Sequence, residues 1–230
     1  EITHDCIDAG ADAIIGPPYS SRAVVLSPYV LSRRFVPAIS YAATSPLLSN
    51  NALYPYFART IPSDLAVAVG TAKLVEEANW EHVAFLYSNE AYGRGLHDGS
   101  KVELQTRIDA GTLTWQSARF TVGDRIGISN ALGDIKSSGI RIIFAATHTD
   151  SLADVIEAAA QRTMIGEGSD YKWIGFDSWG SADEKDLKYM RGSIRVLASG
   201  CSGGPGNLMS HLGGLNGTAL ANEHASWPDG

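Results

Sequence analysis

The stretch His82-Val83-Ala84-Phe85-Leu86-Tyr87-Ser88 decides how this chain is read. Its apolar residues are consecutive rather than alternating, the mark of a strand covered on both faces. Helical patterns flank it. Upstream, Ser63 is placed to cap a helix in which Leu65, Ala68, Val69, Ala72 and Val75 recur at helical spacing. Downstream, residues 93–107 read as a helix and 113–120 as a strand. Ile128, Ala131, Leu132 and Ile135 then form a helical face that stops at Gly139. Residues 141–146 form another buried strand. Leu152, Val155, Ile156 and Ala159 mark a further helix, 171–176 a strand, and 192–198 a last strand.

Towards the N-terminus, Ala13-Ile14-Ile15 reads as a buried strand stopped by Gly16-Pro17-Pro18. Ser20-Ser21 opens a helix through Val24, Val25 and Leu31, interrupted at Pro28. Residues 36–41 read as a strand, 42–51 as a loop and 54–60 as extended. Strands and helices therefore alternate, which predicts an α/β fold of parallel sheets flanked by helices. The pattern divides into two α/β units, with the helix over 64–79 between them. Residues 200–230 hold eight glycines and no persuasive period.

Composition narrows the function. The chain has 230 residues, 44% hydrophobic and 19% charged, with a formal charge of −7. Mean hydropathy is −0.05. This is a globular, acidic chain without the basic surface of a nucleic-acid binder. No run approaches the roughly 18 apolar residues of a membrane helix. The N-terminus lacks the basic and apolar regions of a signal peptide and does not begin with Met, so the chain reads as a piece of a longer protein. Cys6 and Cys201 fit one disulfide, two free thiols or pairing with other segments. No metal or cofactor motif is present. Asn216-Gly217-Thr218 is a glycosylation sequon. There is no Walker loop and no HExxH. Gly93-Arg94-Gly95-Leu96-His97-Asp98-Gly99 misses the dinucleotide spacing by one residue, and the protease look of Gly200-Cys201-Ser202-Gly203-Gly204 lacks the residues that would complete it.

In open α/β sheets, ligands lie beyond the carboxyl ends of the strands. That rule selects Ser20 and Ser21, then Ala42, Ala43, Thr44 and Ser45, then Asn89, Glu90 and Tyr92, then Thr147 and His148, and finally Asp177, Ser178 and Trp179. Hydroxyls suit a carboxylate; a carboxylate beside an aromatic ring suits an ammonium group. Together they match a zwitterionic amino acid. Each residue also has a plainer role. Ser20 and Ser21 can be helix caps, Thr44 and Ser45 loop hydrogen-bonders, and Asp64 a first-turn acid. Asp177 can cap a turn, Tyr92 and Trp179 can pack, and His148 can be a surface histidine.

Several stretches together resemble the receptor-family ligand-binding region, the two-lobed type I periplasmic-binding-protein-like fold. They are Ala13-Ile14-Ile15-Gly16-Pro17, residues 36–49 (Val-Pro-Ala-Ile-Ser-Tyr-Ala-Ala-Thr-Ser-Pro-Leu-Leu-Ser), residues 54–64, Asn79-Trp80-Glu81-His82-Val83, Tyr92-Gly93-Arg94-Gly95, and Trp173-Ile174-Gly175-Phe176-Asp177-Ser178-Trp179. The flavour is that of the extracellular domain of class C G-protein-coupled receptors, such as metabotropic glutamate and GABA-B receptors.

The resemblance implies an incomplete first lobe over 1–63, a second lobe over 64–199, and closure of the two on a ligand. It implies Ser21, or Ser20, and Thr44 at the ligand carboxylate, and Asp64, Tyr92 and Asp177 at its ammonium group. A serine common two residues before that threonine is Ala42 here, so one hydrogen bond is missing. The implied function is the ligand-binding region of a cell-surface receptor for a small amino-acid-like ligand. Dimerisation, an extracellular position and a G protein reached through a membrane domain are implied with it. An amino-acid-binding component of a transporter is the alternative, and an α/β enzyme the third reading.

Overall fold

The computed structural model describes residues 2–28 and 34–197. The Gly-rich segment 200–230, with Cys201 and the Asn216 sequon, lies outside the described residues, as do 29–33 and 198–199.

The chain runs α1 (Ile2–Asp8), β1 (Ile14–Ile15), α2 (Ser20–Leu26), β2 (Ala38–Ser40), a 3-10 turn (Pro46–Ser49) and β3 (Phe57–Arg59). It continues with α3 (Asp64–Glu77), β4 (His82–Ser88), α4 (Ala91–Glu103), α5 (Gln105–Asp109) and β5 (Thr114–Phe120). Then come α6 (Arg125–Ser138), β6 (Ile142–Ala146), α7 (Thr149–Gln161), β7 (Lys172–Gly175), a 3-10 turn (Asp177–Ser181), α8 (Glu184–Met190) and β8 (Ile194–Arg195). Every strand pair is parallel. The first sheet has the order β1-β2-β3 and the second β5-β4-β6-β7-β8. The second order reverses direction between β4 and β6, which is the switch point where such sheets open a crevice.

The run 82–88 is apolar throughout because both of its faces are core. Ala84 and Leu86 point to the side covered by α6 and α7, among Ile128, Leu132, Val155 and Ile156. Val83 and Phe85 point to the side covered by α3 and α4, among Val75, Leu96 and Phe144. Burying each of the larger side chains stabilises by roughly 1.5–3 kcal/mol, so the second sheet carries ample core of its own. The first sheet does not. Its buried apolar residues are few, chiefly Val36, Leu48 and Tyr54.

Helix ends follow local chemistry. Ser63 Oγ accepts from Leu65 N, Glu90 from the amides of Tyr92 and Gly93, and Asp124 from Gly127 N. Gly139 closes α6 at φ +78°, the left-handed conformation that glycine adopts without strain. Leu104 interrupts the helix expected over 93–107, dividing it into α4 and α5. α4 is tied to edge strand β5 by a polar chain: His97 bonds Asp98 through Nδ1 and Ser117 Oγ through Nε2, at 2.7 Å each.

Two expectations are corrected. The buried face of α3 runs through Asp64, Val67, Ala68, Thr71 and Val75, leaving Leu65 and Val69 exposed. Both faces satisfy a helical period; tertiary packing chose the one carrying Asp64. The strand at Ile14–Ile15 is not covered on both sides, for Ile15 is 86% exposed. It lies in register with Ile39 and, through it, with Ala58, and this row is uncovered among the described residues.

Candidate functional site

The carboxyl ends of both sheets face one another. From the first sheet come the loops after β1 and β2 and the start of α3. Ser40, the last residue of β2, organises them. Its buried hydroxyl donates to Pro17 O at 2.7 Å and accepts from Ala43 N at 2.9 Å and Ala42 N at 3.3 Å. Ser20 Oγ accepts from Ser45 N at 3.0 Å, so Ser20 does not cap its own helix but joins the β1 loop to the β2 loop. Its hydroxyl proton remains available to a ligand. Arg59 braces the same loop, donating from Nη1 to Thr44 O and Ser45 O and from Nη2 to Ser49 Oγ.

From the second sheet, Ser88 occupies the switch point. Its buried hydroxyl donates to Glu90 Oε1 at 2.8 Å and accepts from His148 N at 3.0 Å. Gly93 makes this possible, because an added Cβ would lie 2.2 Å from Ser88 O. The neighbouring Tyr92 is thereby fixed, and its phenol donates to Asp177 Oδ1. Burial, with Asp177 adding to it, holds the Tyr92 phenol well above its ordinary value, so it stays a donor.

Asp64 closes the arrangement. Its amide donates to Thr44 O at 3.0 Å, and the residue is 2% exposed. Burial, reinforced by Asp177 and Glu90 and opposed by Thr44 and Arg59, pushes its carboxyl up to about 8. Thr44 Oγ1 lies near enough to favour the ionised form, yet neither it nor Asp64 Oδ2 has a hydrogen-bond partner of good geometry. Ser45 Oγ and Thr147 Oγ1 are likewise buried and unpartnered, and Ser178 Oγ, without a partner of good geometry, lies near enough to the Tyr92 phenol to act on it. All five atoms sit at strand ends or the following helix start. Buried polar atoms without partners are rare enough to require an explanation, and a bound polar ligand is one.

The structure thus brings Thr44, Asp64, Tyr92 and Asp177 together, with Asp177 on the exposed side. Ser20 is turned to loop bonding, while Ser21 and Ala42 are half-buried beside it. Trp179 packs in the core with its indole on Ala145 O. His148 is not a surface histidine: it is 8% exposed, and its Nδ1 accepts from Asp150 N as the cap of α7. Sequence reasoning missed Ser40 and Arg59, and it missed the link that Ser88 makes. A hydroxyl on the last residue of a strand is the signal that marks both serines.

Two hollows lie elsewhere. One of about 770 Å³ opens at the opposite strand ends near Trp80, Thr114 and Arg141. Another of about 680 Å³ lies by α7 and α8 near Asp154 and Lys185. Neither gathers the unpartnered groups of the cleft. Among the described residues no group of three His, Cys, Asp or Glu is placed to hold a metal, and Cys6 is a free, exposed thiol.

Two parallel sheets with facing carboxyl ends, joined through α3, define a binding architecture in which the ligand lies between layers. The family described as receptor family ligand binding region matches residues 3–200, and the chain belongs to it. It is 33% identical over 193 residues to metabotropic glutamate receptor 4 of Rattus norvegicus, covering 80% of this chain and 20% of that protein. It is 32% identical over 175 residues to metabotropic glutamate receptor 8 of Homo sapiens, covering 73% and 18% respectively. The chain thus spans about a fifth of the length of these relatives. Among the described residues no helix is long and apolar enough to cross a membrane.

Proposed function

We propose that the cleft binds a free α-amino acid and that the full-length protein is a cell-surface receptor that signals when the two lobes, residues 1–63 and 64–199, close on it. The carboxylate takes hydrogen bonds from Thr44 and from Ser20 or Ser21. The ammonium group lies between Asp64 and Asp177, with Tyr92 holding Asp177 in place. Ala42 contributes only backbone. The first lobe offers hydroxyls and the second two acids and a phenol, so neither alone satisfies both ends of the ligand. Closure is favoured because only the closed form lets both lobes hold the ligand at once.

The observation that carries this reading is the buried Asp64 carboxyl with an unpartnered oxygen, beside unpartnered Thr44 and within reach of a second acid. A buried carboxyl with an exposed carboxylate acting on it is satisfied by a cation, and an ammonium group supplies one. The named relatives are receptors, which favours the receptor over the transporter component. An extracellular position, a dimer and coupling to a G protein belong to this proposal.

The test is calorimetry on the purified full-length protein. An α-amino acid binds, while its N-acetyl and decarboxylated analogues do not. Asp177→Ala weakens binding about 30-fold, the ~2 kcal/mol of a charge-assisted hydrogen bond. Unchanged affinity in that variant removes the assignment.

A further inference from the structure

Segments that follow strands of the two sheets touch at two places. At one, Tyr19, the residue before Ser20, meets His148: the ring centroids are 4.7 Å apart and the planes inclined by 40°. At the other, Gly95 of α4 meets Pro46 of the β2 loop, so closely that an added Cβ would lie 2.7 Å from Pro46 Cδ. Tyr19 follows the first strand of its sheet. His148 follows β6, the strand between those that carry Tyr92 and Asp177. The aromatic contact therefore lies at a strand end between the one leading to Tyr92 and the one leading to Asp177.

Both partners of that contact are held. His148 is buried, its backbone N–H is bound to Ser88 Oγ, and its Nδ1 accepts from Asp150 N. Tyr19 accepts from Arg22 N and Ala23 N through its carbonyl, and the Arg22 guanidinium lies over its ring, 5.0 Å from the centroid. The two rings sit on different lobes, so the wall is complete only when the lobes are together, and there these bonds fix the backbones that carry it. Glu90 and Asp177 act on Asp64 against a further negative charge, and Arg59 is already committed to Thr44 O, Ser45 O and Ser49 Oγ, while the Arg22 guanidinium stands against the Tyr19 ring.

Resting on the amino-acid reading above, we infer that Tyr19 and His148 form a wall that sets specificity, and that the ligand is an α-amino acid with a short, uncharged side chain, of the size of glycine, alanine or serine. Tyr19 and His148 exclude larger side chains by filling the space they would occupy. An acidic side chain of the length of glutamate's is excluded by size.

The test measures affinity for glycine, L-serine, L-glutamate and L-phenylalanine on the purified full-length protein, as wild type, Tyr19→Ala and His148→Ser. Serine at 148 keeps a capping acceptor for α7 while removing the ring. The wild type is expected to prefer glycine or L-serine over L-glutamate and L-phenylalanine by at least about ten-fold, the range that steric discrimination supplies. Each variant is expected to narrow the gap between L-serine and L-phenylalanine by about five-fold or more. Wild-type protein that binds L-glutamate or L-phenylalanine as tightly as L-serine overturns the inference, and so do variants that both keep the wild-type ranking. A wild type that binds none of the four fails differently: it removes the amino-acid reading, and this inference with it.

Discussion

Asp64→Asn is expected to stabilise the ligand-free protein at alkaline pH and to abolish high-affinity amino-acid binding. Both effects follow from the same buried group. Its folded value of about 8 stands above its ordinary 3.8. The folded state thus holds a proton that the unfolded chain releases. Stability from this group is complete below pH 3.8 and is lost as pH rises towards and through 8. Asparagine carries no charge to desolvate, so that loss disappears. The gain above pH 8 is on the order of a few kcal/mol, since a tenfold change in proton affinity corresponds to about 1.4 kcal/mol. Melting curves at pH 5 and pH 8.5 check it: the difference between the two pH values shrinks in the variant. Binding falls about 100-fold, because an ammonium group buried without its carboxylate costs about 3 kcal/mol or more. Parallel pH dependences in the two proteins would contradict this account of Asp64.

Gly93→Ala is expected to be the most disruptive small substitution near the cleft. The new Cβ would lie 2.2 Å from Ser88 O, 2.7 Å from Ser88 Oγ and 2.9 Å from Ser88 N. Two of those atoms are backbone of the central strand β4, so no rotamer change relieves the contact. The start of α4 must move, and with it Tyr92 and the Glu90 cap. The expected loss is about 3 kcal/mol of stability, at the upper end for overpacking, together with weakened ligand binding. Gly133→Ala is the matched control. It lies in α6 with nothing within 4 Å of the added Cβ. There alanine is expected to stabilise by up to about 1 kcal/mol through helix propensity. Chemical denaturation of both variants checks the contrast. Equal effects would mean that the close approach at Ser88 is not enforced.

The parts of the fold legible in the sequence are those where period and burial coincide. Ile128, Ala131, Leu132 and Ile135 line a buried face of α6, and Leu152, Val155, Ile156 and Ala159 one of α7, as their spacing predicts. The all-apolar run 82–88 likewise predicts a central strand, and β4 has neighbours on both sides. Legibility fails where the deciding partner is distant. Leu65 and Val69 fit the period of α3 as well as Val67 and Thr71 do, and only packing against α4 selects between the faces. The same holds at the cleft. Thr44, Tyr92 and Asp177 are selected by the strand-end rule and by family resemblance, Asp64 by the resemblance alone. The roles of Ser40 and Ser88 depend on carbonyls and amides that other loops bring to them. His148 is polar and follows a strand, which suits a surface loop. It is buried because Tyr19, 129 positions earlier, covers it.

The central claim is that a buried, protonated Asp64 becomes the counter-ion of a ligand ammonium group. Its most direct measurement is calorimetric titration of the full-length protein with L-serine at pH 7, in buffers of contrasting ionisation enthalpy. The account predicts release of about one proton per ligand bound, and affinity that rises with pH towards 8. Heats that do not depend on the buffer, or proton uptake, would contradict it.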